Sequence, residues 1–308
     1  EKEELKVFGF TMTAEFKTTR DQTWEARLKK LRGVLTSWKD RDLPTLEQRV
    51  QVVNMYMSST IWYTAQVLPL PAGICKQIDQ ELGRFIFRGG ITMGRLKLEQ
   101  LCHPVKKGGL GLFNTERKAK SLFTRQIGRM LRRKGKGYKH ISYWLRSSMA
   151  NQITLHEDGP RATQLPSGLH LQMKHCIVEG LERGNEAQLL SSTAKMIYQS
   201  LSEDLPPPRL AQEAPDEEEV KRVFGRLSSK VLNVHHRHAI FCLVNKLVKN
   251  KEHMSRVWDR GDAMCDHDPD ETGECAGVEQ TVAHLYQTCG RVSDAWSWLF
   301  NYITAGVL

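Results

Sequence analysis

Four residues near the C-terminal end of the sequence carry side chains that bind metal ions. Cys275, His284 and Cys289 follow the spacing Cys-x8-His-x4-Cys, and Cys265 stands ten positions before Cys275. Thiolate sulfur and imidazole nitrogen are the donors that Zn²⁺ prefers in structural sites, where four ligands surround the ion as a tetrahedron. The spacing therefore predicts a structural zinc site formed by Cys265, Cys275, His284 and Cys289.

The first ligand of this site is less strictly defined by the spacing. Nine residues separate Cys265 from Cys275, whereas about two to four separate paired cysteines in most zinc fingers. An inserted loop would explain the gap, and His267, which lies within it, is an alternative first ligand. If no metal binds, the same residues are one buried histidine and three ordinary thiols.

Positive charge is concentrated in one part of the chain. The net charge of the whole sequence is +10, yet residues 87–146 contain sixteen Lys or Arg and two acids, which gives that segment a charge of +14. The rest of the sequence is therefore slightly acidic. Such a concentration of positive charge is typical of a surface that binds a polyanion.

The densest part of this segment, Arg117 to Lys139, has ten basic side chains and no acid. A helix is predicted from about Asn114 to Lys134, and its apolar face consists of Ala119, Leu122, Phe123, Ile127, Met130 and Leu131. The cations that would form a phosphate-binding ridge on this helix are Arg117, Lys118, Lys120, Arg125, Arg129, Arg132 and Arg133. The alternative is a solvated charged face, although such faces usually intersperse Glu with the basic residues.

The elements that must position these residues are predicted to be mainly helices. The first helix, with Asp21 as its N-cap, has an apolar face of Trp24, Leu28, Leu31, Leu35 and Trp38. A second begins with Thr45 and Gln48 in the spacing of a capping box, and its stripe is Leu46, Val50, Val53, Met57 and Ile61. A third begins at Pro71, stops at Gly89-Gly90, and buries Ile74, Ile78, Leu82 and Phe85.

The connections between helices are indicated by glycine and proline. Lys6 to Met12 predicts a short strand, and Gly108 to Gly111 predicts a tight turn, because it lacks the Lys-Ser/Thr of a phosphate-binding loop. Residues 205–215 predict a proline-rich linker, and helices are predicted near 216–227 and 229–249. The predicted fold class is mainly α.

Composition limits the classes of protein to which the chain can belong. No apolar run approaches the roughly 18 residues needed to span a bilayer. The seven cysteines, without a secretion signal, indicate a reduced compartment, nuclear or cytoplasmic. The sequence begins with Glu1 rather than Met, which is expected of a piece of a longer protein.

Several short motifs follow one another in an order typical of one family. They are Leu35-x-x-Trp38, Leu43, Arg49-Val50, Trp62-Tyr63, Val67-Leu68-Pro69-Leu70-Pro71, Phe85-Ile86-Phe87-x-Gly89, Pro104 and Gly108-Gly109-Leu110-Gly111-Leu112. Together they resemble the thumb of a LINE-type (non-LTR retrotransposon) reverse transcriptase. Lys6 to Phe10 resembles the strand that ends the palm in that family, and Cys275 to Cys289 resembles its zinc knuckle. The resemblance covers about residues 5–135 and 263–300, with Gln48 and Phe87 in place of the usual Gly and Trp.

The resemblance implies how the chain is organised. Residues 1–15 would end the palm, 16–150 would form a thumb-like helical domain, 151–215 a helical connector, 216–262 a helical segment, and 263–308 the zinc knuckle with a terminal helix. RNA and DNA, as template–primer duplex and element RNA, would be the partners. Arg49, Lys106 and Lys107 would join the ridge as phosphate contacts.

The resemblance also implies where the polymerase chemistry lies. An RNA-directed DNA polymerase holds catalytic Mg²⁺ with palm aspartates, and no Asp-Asp pair occurs in these 308 residues. Polymerase activity is therefore not expected from this chain alone. Two alternatives are a complete enzyme of another class, for which no suggestive catalytic arrangement is found, and a non-catalytic helical adaptor or domesticated retroelement remnant that binds acidic partners.

Overall fold

The structure is a computed structural model of the chain. It describes residues 5–7, 10–87, 96–132, 139–140, 142–143, 145, 168–184, 186–207, 218, 221–222, 224–225, 232–245, 247, 250–252, 255, 263–265, 275, 277–281, 283–290, 292–293 and 295–297. Over these residues the protein is mainly helical, which confirms the predicted class. The chain forms two compact units, one of Glu1–Ile86 with Leu98–Arg226 and one of Phe87–Lys97 with Leu227–Leu308.

The first unit begins with a small antiparallel hairpin. Strands β1 (Leu5–Val7) and β2 (Phe10–Met12) pair with Leu5 opposite Met12 and Val7 opposite Phe10. The prediction of a single strand from Lys6 to Met12 is therefore wrong. Only two residues, one of them glycine, separate the strands, which is the length of a tight hairpin connection.

Helix α1 (Phe16–Ser37) buries Trp24, Leu28, Leu31 and Leu35 of the predicted face, whereas Trp38 follows the helix and is half-buried. The predicted N-cap is wrong, because Glu15 occupies that position and Asp21 lies inside the helix beside Arg20. The backbone N–H of Thr13 donates to Thr19 Oγ1 at 2.8 Å, and this contact holds the turn that starts the helix earlier than Asp21.

Helix α2 (Leu46–Thr60) has the predicted capping box. The backbone N–H of Gln48 donates to Thr45 Oγ1 at 3.2 Å, and the backbone N–H of Thr45 donates to Gln48 Oε1 at 3.2 Å. The whole predicted stripe is buried. Short helix α3 (Trp62–Ala65) follows, and α4 (Ala72–Ile86) buries Ile78, Leu82 and Phe85 as predicted, whereas Ile74 is half-buried. The predicted stop at Gly89-Gly90 lies outside the described residues.

The glycine turn connects short helix α5 (Leu98–Leu101) and a 3₁₀ turn (Val105–Lys107) to the basic helix. Gly108 and Gly111 have φ angles of 91° and 69°, a region that glycine enters without steric cost. The N–H groups of Leu110 and Leu112 both donate to the carbonyl of Leu101, each at 3.0 Å. The predicted turn is thus confirmed.

Helix α6 (Thr115–Arg132) is the centre of the first unit. It packs against α7 (Gly168–Glu182), α8 (Glu186–Ser191) and α9 (Ala194–Ser202), which come from the region predicted as a connector. The shared core contains Phe123, Ile127, Leu131, Leu145, Met173, Ile177 and Leu189. The basic helix is therefore fixed by its apolar face.

The second unit contains helix α10 (Val234–Val244), whose N-cap Asn233 accepts a hydrogen bond from the N–H of His236 at 2.9 Å. An isolated antiparallel bridge joins Met264 to Glu279, and a π-helical turn spans His284–Thr288. Over the described residues, neither unit contains a helix of the length and apolarity required to cross a bilayer.

Candidate metal centre and basic surface

Cys265 is positioned by the bridge between Met264 and Glu279. The N–H of Cys265 donates to the carbonyl of Val278 at 2.9 Å, and the N–H of Gln280 donates to the carbonyl of Ala263 at 2.7 Å. These two bonds place Cys265 beside the segment that follows Cys275. The bridge therefore closes the nine-residue gap between the two cysteines.

Cys275 begins a tight turn. The N–H of Val278 donates to the carbonyl of Cys275 at 3.2 Å, and Gly277 has a φ angle of 70°. A left-handed glycine in this position reverses the chain without steric cost. The turn exposes Val278 while it keeps Cys275 only 1% exposed.

His284 and Cys289 are brought together by the π-helical turn. The N–H of Cys289 donates to the carbonyl of His284 at 2.8 Å, across five residues. In an α-helix with 3.6 residues per turn, side chains five apart point in clearly different directions, but the wider π turn brings them onto nearly the same side. Thr281 Oγ1 accepts from the N–H of His284 at 3.0 Å and caps this turn.

The four side chains meet in one cluster. Their ligand atoms all lie within 4.8 Å of one another, and the Sγ atoms of Cys265 and Cys275 are each 3.9 Å from that of Cys289. For metal–sulfur bonds of about 2.3 Å, the edge of a tetrahedron is about 3.8 Å. Cys275, Cys289 and His284 are buried, and Cys265 is half-buried. The cluster has the donors and the spacing to hold a metal ion.

His284 supplies a second, independent indication of a metal. Its Nδ1 lies 3.2 Å from Thr288 Oγ1, whereas its Nε2 is buried and has no hydrogen-bond partner. A buried polar atom without a partner costs free energy. A metal ion bound to Nε2 would satisfy that atom, while Nδ1–H donates to Thr288. Metal-binding histidines usually donate their second ring N–H in this way.

The structure thus places all four predicted ligands together, with Cys265 in the first position. The alternative ligand, His267, lies outside the described residues. All seven cysteines have free thiols, so no disulfide competes for these sulfur atoms. Thr288 was not predicted, and the signal for it was its place one helical turn after His284.

The predicted ridge on α6 divides into two groups of cations. Arg117, Lys118 and Lys120 have partners within the protein. Arg117 Nη1 donates to the carbonyl of Leu201 at 2.6 Å, at the C-terminal end of α9. Lys120 forms an ion pair with Glu179 of α7. These side chains attach neighbouring helices to α6.

Lys118 lies between two aromatic rings. Its Nζ is 4.5 Å from the ring centroid of Phe113 and 5.5 Å from that of Tyr198. Cations are attracted to aromatic faces, particularly where water is excluded. Burial lowers the pKa of Lys118. This ammonium group therefore contributes to the packing of α9 against α6.

The second group consists of Arg125, Arg129 and Arg132. Arg125 and Arg129 are half-buried and Arg132 is exposed. Over the described part of the chain, their guanidinium groups take part in no ion pair or hydrogen bond. They follow one another by four and three residues, so they lie along one side of α6 over about 10 Å. Arg133, also predicted, lies outside the described residues.

The predicted cations outside α6 also divide into one that is bonded within the protein and two that are exposed. Arg49 Nε and Nη1 donate to the carbonyls of Leu43 at 2.8 Å and Ile86 at 2.9 Å. This guanidinium group therefore joins the start of α2 to the C-terminal end of α4. Lys106 and Lys107 are exposed on the turn before Gly108.

Comparisons of the chain with protein-family models and with curated proteins gave no match.

Proposed function

We propose that this chain is the nucleic-acid-binding C-terminal region of a retrotransposon-type reverse transcriptase, with a structural zinc ion in its second unit. It grips the backbone of RNA and DNA duplexes and does not itself carry the polymerase chemistry. The observation that carries this proposal is the row of Arg125, Arg129 and Arg132 on a helix whose opposite face is buried in a core.

The row suits phosphate binding better than the rest of the ridge. A guanidinium group already bonded to carbonyls must break those bonds before it binds phosphate, whereas these three need not. Phosphate contacts position a protein on a duplex without reading its sequence. We therefore assign the main phosphate contacts to these three arginines, with Lys106, Lys107 and Arg133 as further contacts. Arg49, Arg117, Lys118 and Lys120 act mainly within the fold.

The proposal of zinc depends on the donor set. Three thiolates and one imidazole are soft ligands, which favour Zn²⁺ over Mg²⁺ or Ca²⁺. Four protein ligands leave no open position, as in structural rather than catalytic sites. When bound, the ion would supply folding free energy to a segment with little apolar core.

Salt dependence tests the nucleic-acid proposal. We expect the full chain to bind two unrelated RNA–DNA hybrids equally well, with log affinity falling linearly against log salt. The triple variant Arg125→Gln, Arg129→Gln, Arg132→Gln should reduce the slope by roughly 2 to 3, about 0.9 for each phosphate that is no longer neutralised. Fluorescence anisotropy at several salt concentrations measures both quantities.

The matched control has the same change of charge on another surface. Lys29, Lys30 and Lys76 are exposed on α1 and α4, and their triple replacement by Gln should leave the slope nearly unchanged. If the two triple variants reduce the salt slope equally, binding depends on the net charge of the protein and not on the arginine row of α6. A response that does not depend on salt would instead favour the adaptor that binds acidic proteins.

Elemental analysis tests the zinc proposal. The purified full chain should contain about one equivalent of zinc. His284→Ala and Cys265→Ala should lose most of it, whereas His267→Ala should keep it. If Cys265→Ala keeps its zinc and His267→Ala loses it, the first ligand is His267 and not Cys265. Absence of any transition metal from the wild-type protein would contradict the proposal.

A further inference from the structure

A cavity in the first unit is not explained by nucleic-acid or metal binding. Its volume is about 240 Å³, and its walls come from helices α6, α7, α8 and α9. A 150 Å³ cavity in another protein holds benzene, and pockets for larger ligands start near about 300 Å³. The cavity thus has room for one ring with a short substituent.

One wall of the cavity is apolar. Leu189 and Leu201 are buried there, and Ile197 is half-buried. Met196 also lines the cavity, yet its side chain is 54% exposed. An apolar side chain held at the rim of a cavity is covered from water when a ligand enters. This wall selects the apolar part of a ligand.

The close approach of α7 and α8 shapes the same wall. A Cβ atom at Gly180 would lie 2.7 Å from Leu189 Cδ1, and one at Gly184 would lie 2.5 Å from Gln188 Oε1. Gly180 therefore allows Leu189 of α8 to pack against α7, whereas the atom near Gly184 is the end of an exposed, flexible side chain. The packing of Leu189 on Gly180 thus defines this part of the wall.

The opposite wall carries three charged side chains, each of which forms an ion pair. Lys120, Glu179 and Arg183 line the cavity, and the Lys120–Glu179 ion pair neutralises one charge of each sign. Arg183 Nη2 forms an ion pair with Asp204 at 2.8 Å, and Nη1 donates to the carbonyl of Ser200 at 3.5 Å. Asp204 lies outside the lining and is 60% exposed, so an anion in the cavity would replace it as the partner of Arg183. A surface ion pair of this kind is worth little, so the guanidinium group can turn to a ligand at low cost.

We propose that this cavity binds a small amphipathic anion, with a single-ring apolar part against Met196 and Leu189 and a carboxylate or phosphate at Arg183. A guanidinium group binds both kinds of anion through two parallel hydrogen bonds. Glu179, held by Lys120, does not attract a cation. This site is distinct from the α6 arginine row and does not depend on it.

Three probes of equal shape and different charge test the proposal. They are 4-methylbenzoate, 4-methylbenzylammonium and p-xylene, each titrated into the full chain with ¹³C-methyl methionine. We expect all binding to be read from the shift of the Met196 methyl resonance. The dissociation constant of 4-methylbenzoate should be at least tenfold lower than those of the other two probes. Met55, which is also 54% exposed but lies on α2, is the internal control and should not shift.

Variants separate the anion contact from general charge. Arg183→Gln should weaken 4-methylbenzoate binding about tenfold, while Lys195→Gln, at an exposed position of α9 outside the cavity lining, should not. Ile197→Phe, which fills the cavity, should abolish the shift of the Met196 resonance by 4-methylbenzoate. This variant keeps the test decisive if Arg183→Gln folds poorly. Equal binding of p-xylene, tighter binding of the ammonium probe, or no shift of Met196 at millimolar 4-methylbenzoate would overturn the proposal.

Discussion

Thr288 contacts the imidazole of His284 on the side away from the unpartnered Nε2. Thr288 Oγ1 lies 3.2 Å from Nδ1, and the buried Nε2 has no hydrogen-bond partner among the described residues. With a metal ion on Nε2, the ring proton would be on Nδ1, which would donate to Thr288 Oγ1. The hydroxyl would thus orient a metal ligand without itself touching the metal.

We expect Thr288→Val to weaken metal binding by about tenfold to a hundredfold, the usual effect of removing such a hydrogen bond. Thr288→Ser, which keeps the hydroxyl, should bind nearly as the wild type does. Competition with a chromophoric chelator measures the affinity, and ¹⁵N–¹H correlation spectra of the imidazole report the tautomer. Unchanged affinity and tautomer in Thr288→Val would show that Thr288 only caps the turn.

Asp79 is a half-buried carboxylate whose ionised form lowers the stability of the folded protein. It accepts a hydrogen bond from Thr115 Oγ1 at 2.5 Å at the start of α6. Burial, with smaller contributions from Glu116 and Glu99, nevertheless raises its pKa above the ordinary value of 3.8. The folded state therefore holds this proton more tightly than the unfolded state does, and the resulting stability is lost as the pH rises through the raised pKa.

We expect Asp79→Asn to increase the free energy of unfolding at neutral pH, because the amide oxygen still accepts from Thr115 without carrying charge. The gain should shrink as the pH falls through the raised pKa of Asp79, because the carboxyl group of the folded protein is then itself protonated. Urea unfolding at a series of pH values measures this dependence. Asp40→Asn, at an exposed position after α1, is the control, and a gain independent of pH would contradict this explanation.

At the scale of elements, the glycine turn before α6 offers a matched pair of positions. A Cβ atom at Gly109 would lie 2.0 Å from the backbone oxygen of His103, whereas one at Gly111 would meet nothing within 4 Å. Gly111 is needed only for its φ angle of 69°. The two glycines thus satisfy different requirements, close approach of two backbones and a left-handed conformation.

We expect Gly111→Ala to cost about 1 to 2 kcal/mol, the penalty of the left-handed region for a residue with a Cβ. Gly109→Ala should cost about 3 kcal/mol or more, because a backbone oxygen cannot move aside as a side chain does. Denaturant unfolding of the two variants compares these values. A larger loss for Gly111→Ala would show that the conformation, rather than the close approach, limits the turn.

The elements that the sequence predicted best are those defined by local patterns. The stripes of α1, α2 and α6, the capping box at Thr45 and the glycine turn depend on residues a few positions apart. The start of α1 was misplaced because Thr13 and Thr19 act together through a hydrogen bond that periodicity does not reveal. The hairpin was missed because three-residue strands leave too short a pattern.

The candidate site was predictable to a similar extent. Its four ligands follow from donor type and spacing, but neither the π-helical turn nor Thr288 does. The division of the α6 cations was not predictable at all, since Arg117 is bonded to Leu201, 84 residues away along the chain. Only the three-dimensional packing of α9 shows which cations are already engaged.

At the scale of the whole molecule, the two units differ in what stabilises them. The first unit contains the apolar core shared by α6, α7 and α8. Around the metal cluster of the second, the described elements are the bridge at Met264, the turn after Cys275 and the π-helical turn. Such short elements are not independently stable in water, so a metal ion bound as we propose would supply much of their folding free energy.

We therefore expect chelation to act on one part of the chain only. Hydrogen exchange of the full chain, measured before and after removal of metal, should show loss of protection at the N–H groups of Cys265, Val278, Gln280 and Cys289, which the cluster keeps in place. Amides in α2 and α6 should stay protected, because their buried stripes contain no metal ligand. Structural zinc contributes on the order of 10 kcal/mol in small sites, far more than these few backbone bonds, so the loss of protection should be nearly complete.

Cys275→Ala is the control, since its hydrogen exchange should resemble that of the chelated protein and should not change further when chelator is added. Loss of protection throughout α2 and α6 would show that the metal stabilises both units, and unchanged exchange near Cys289 would show that the cluster folds without it.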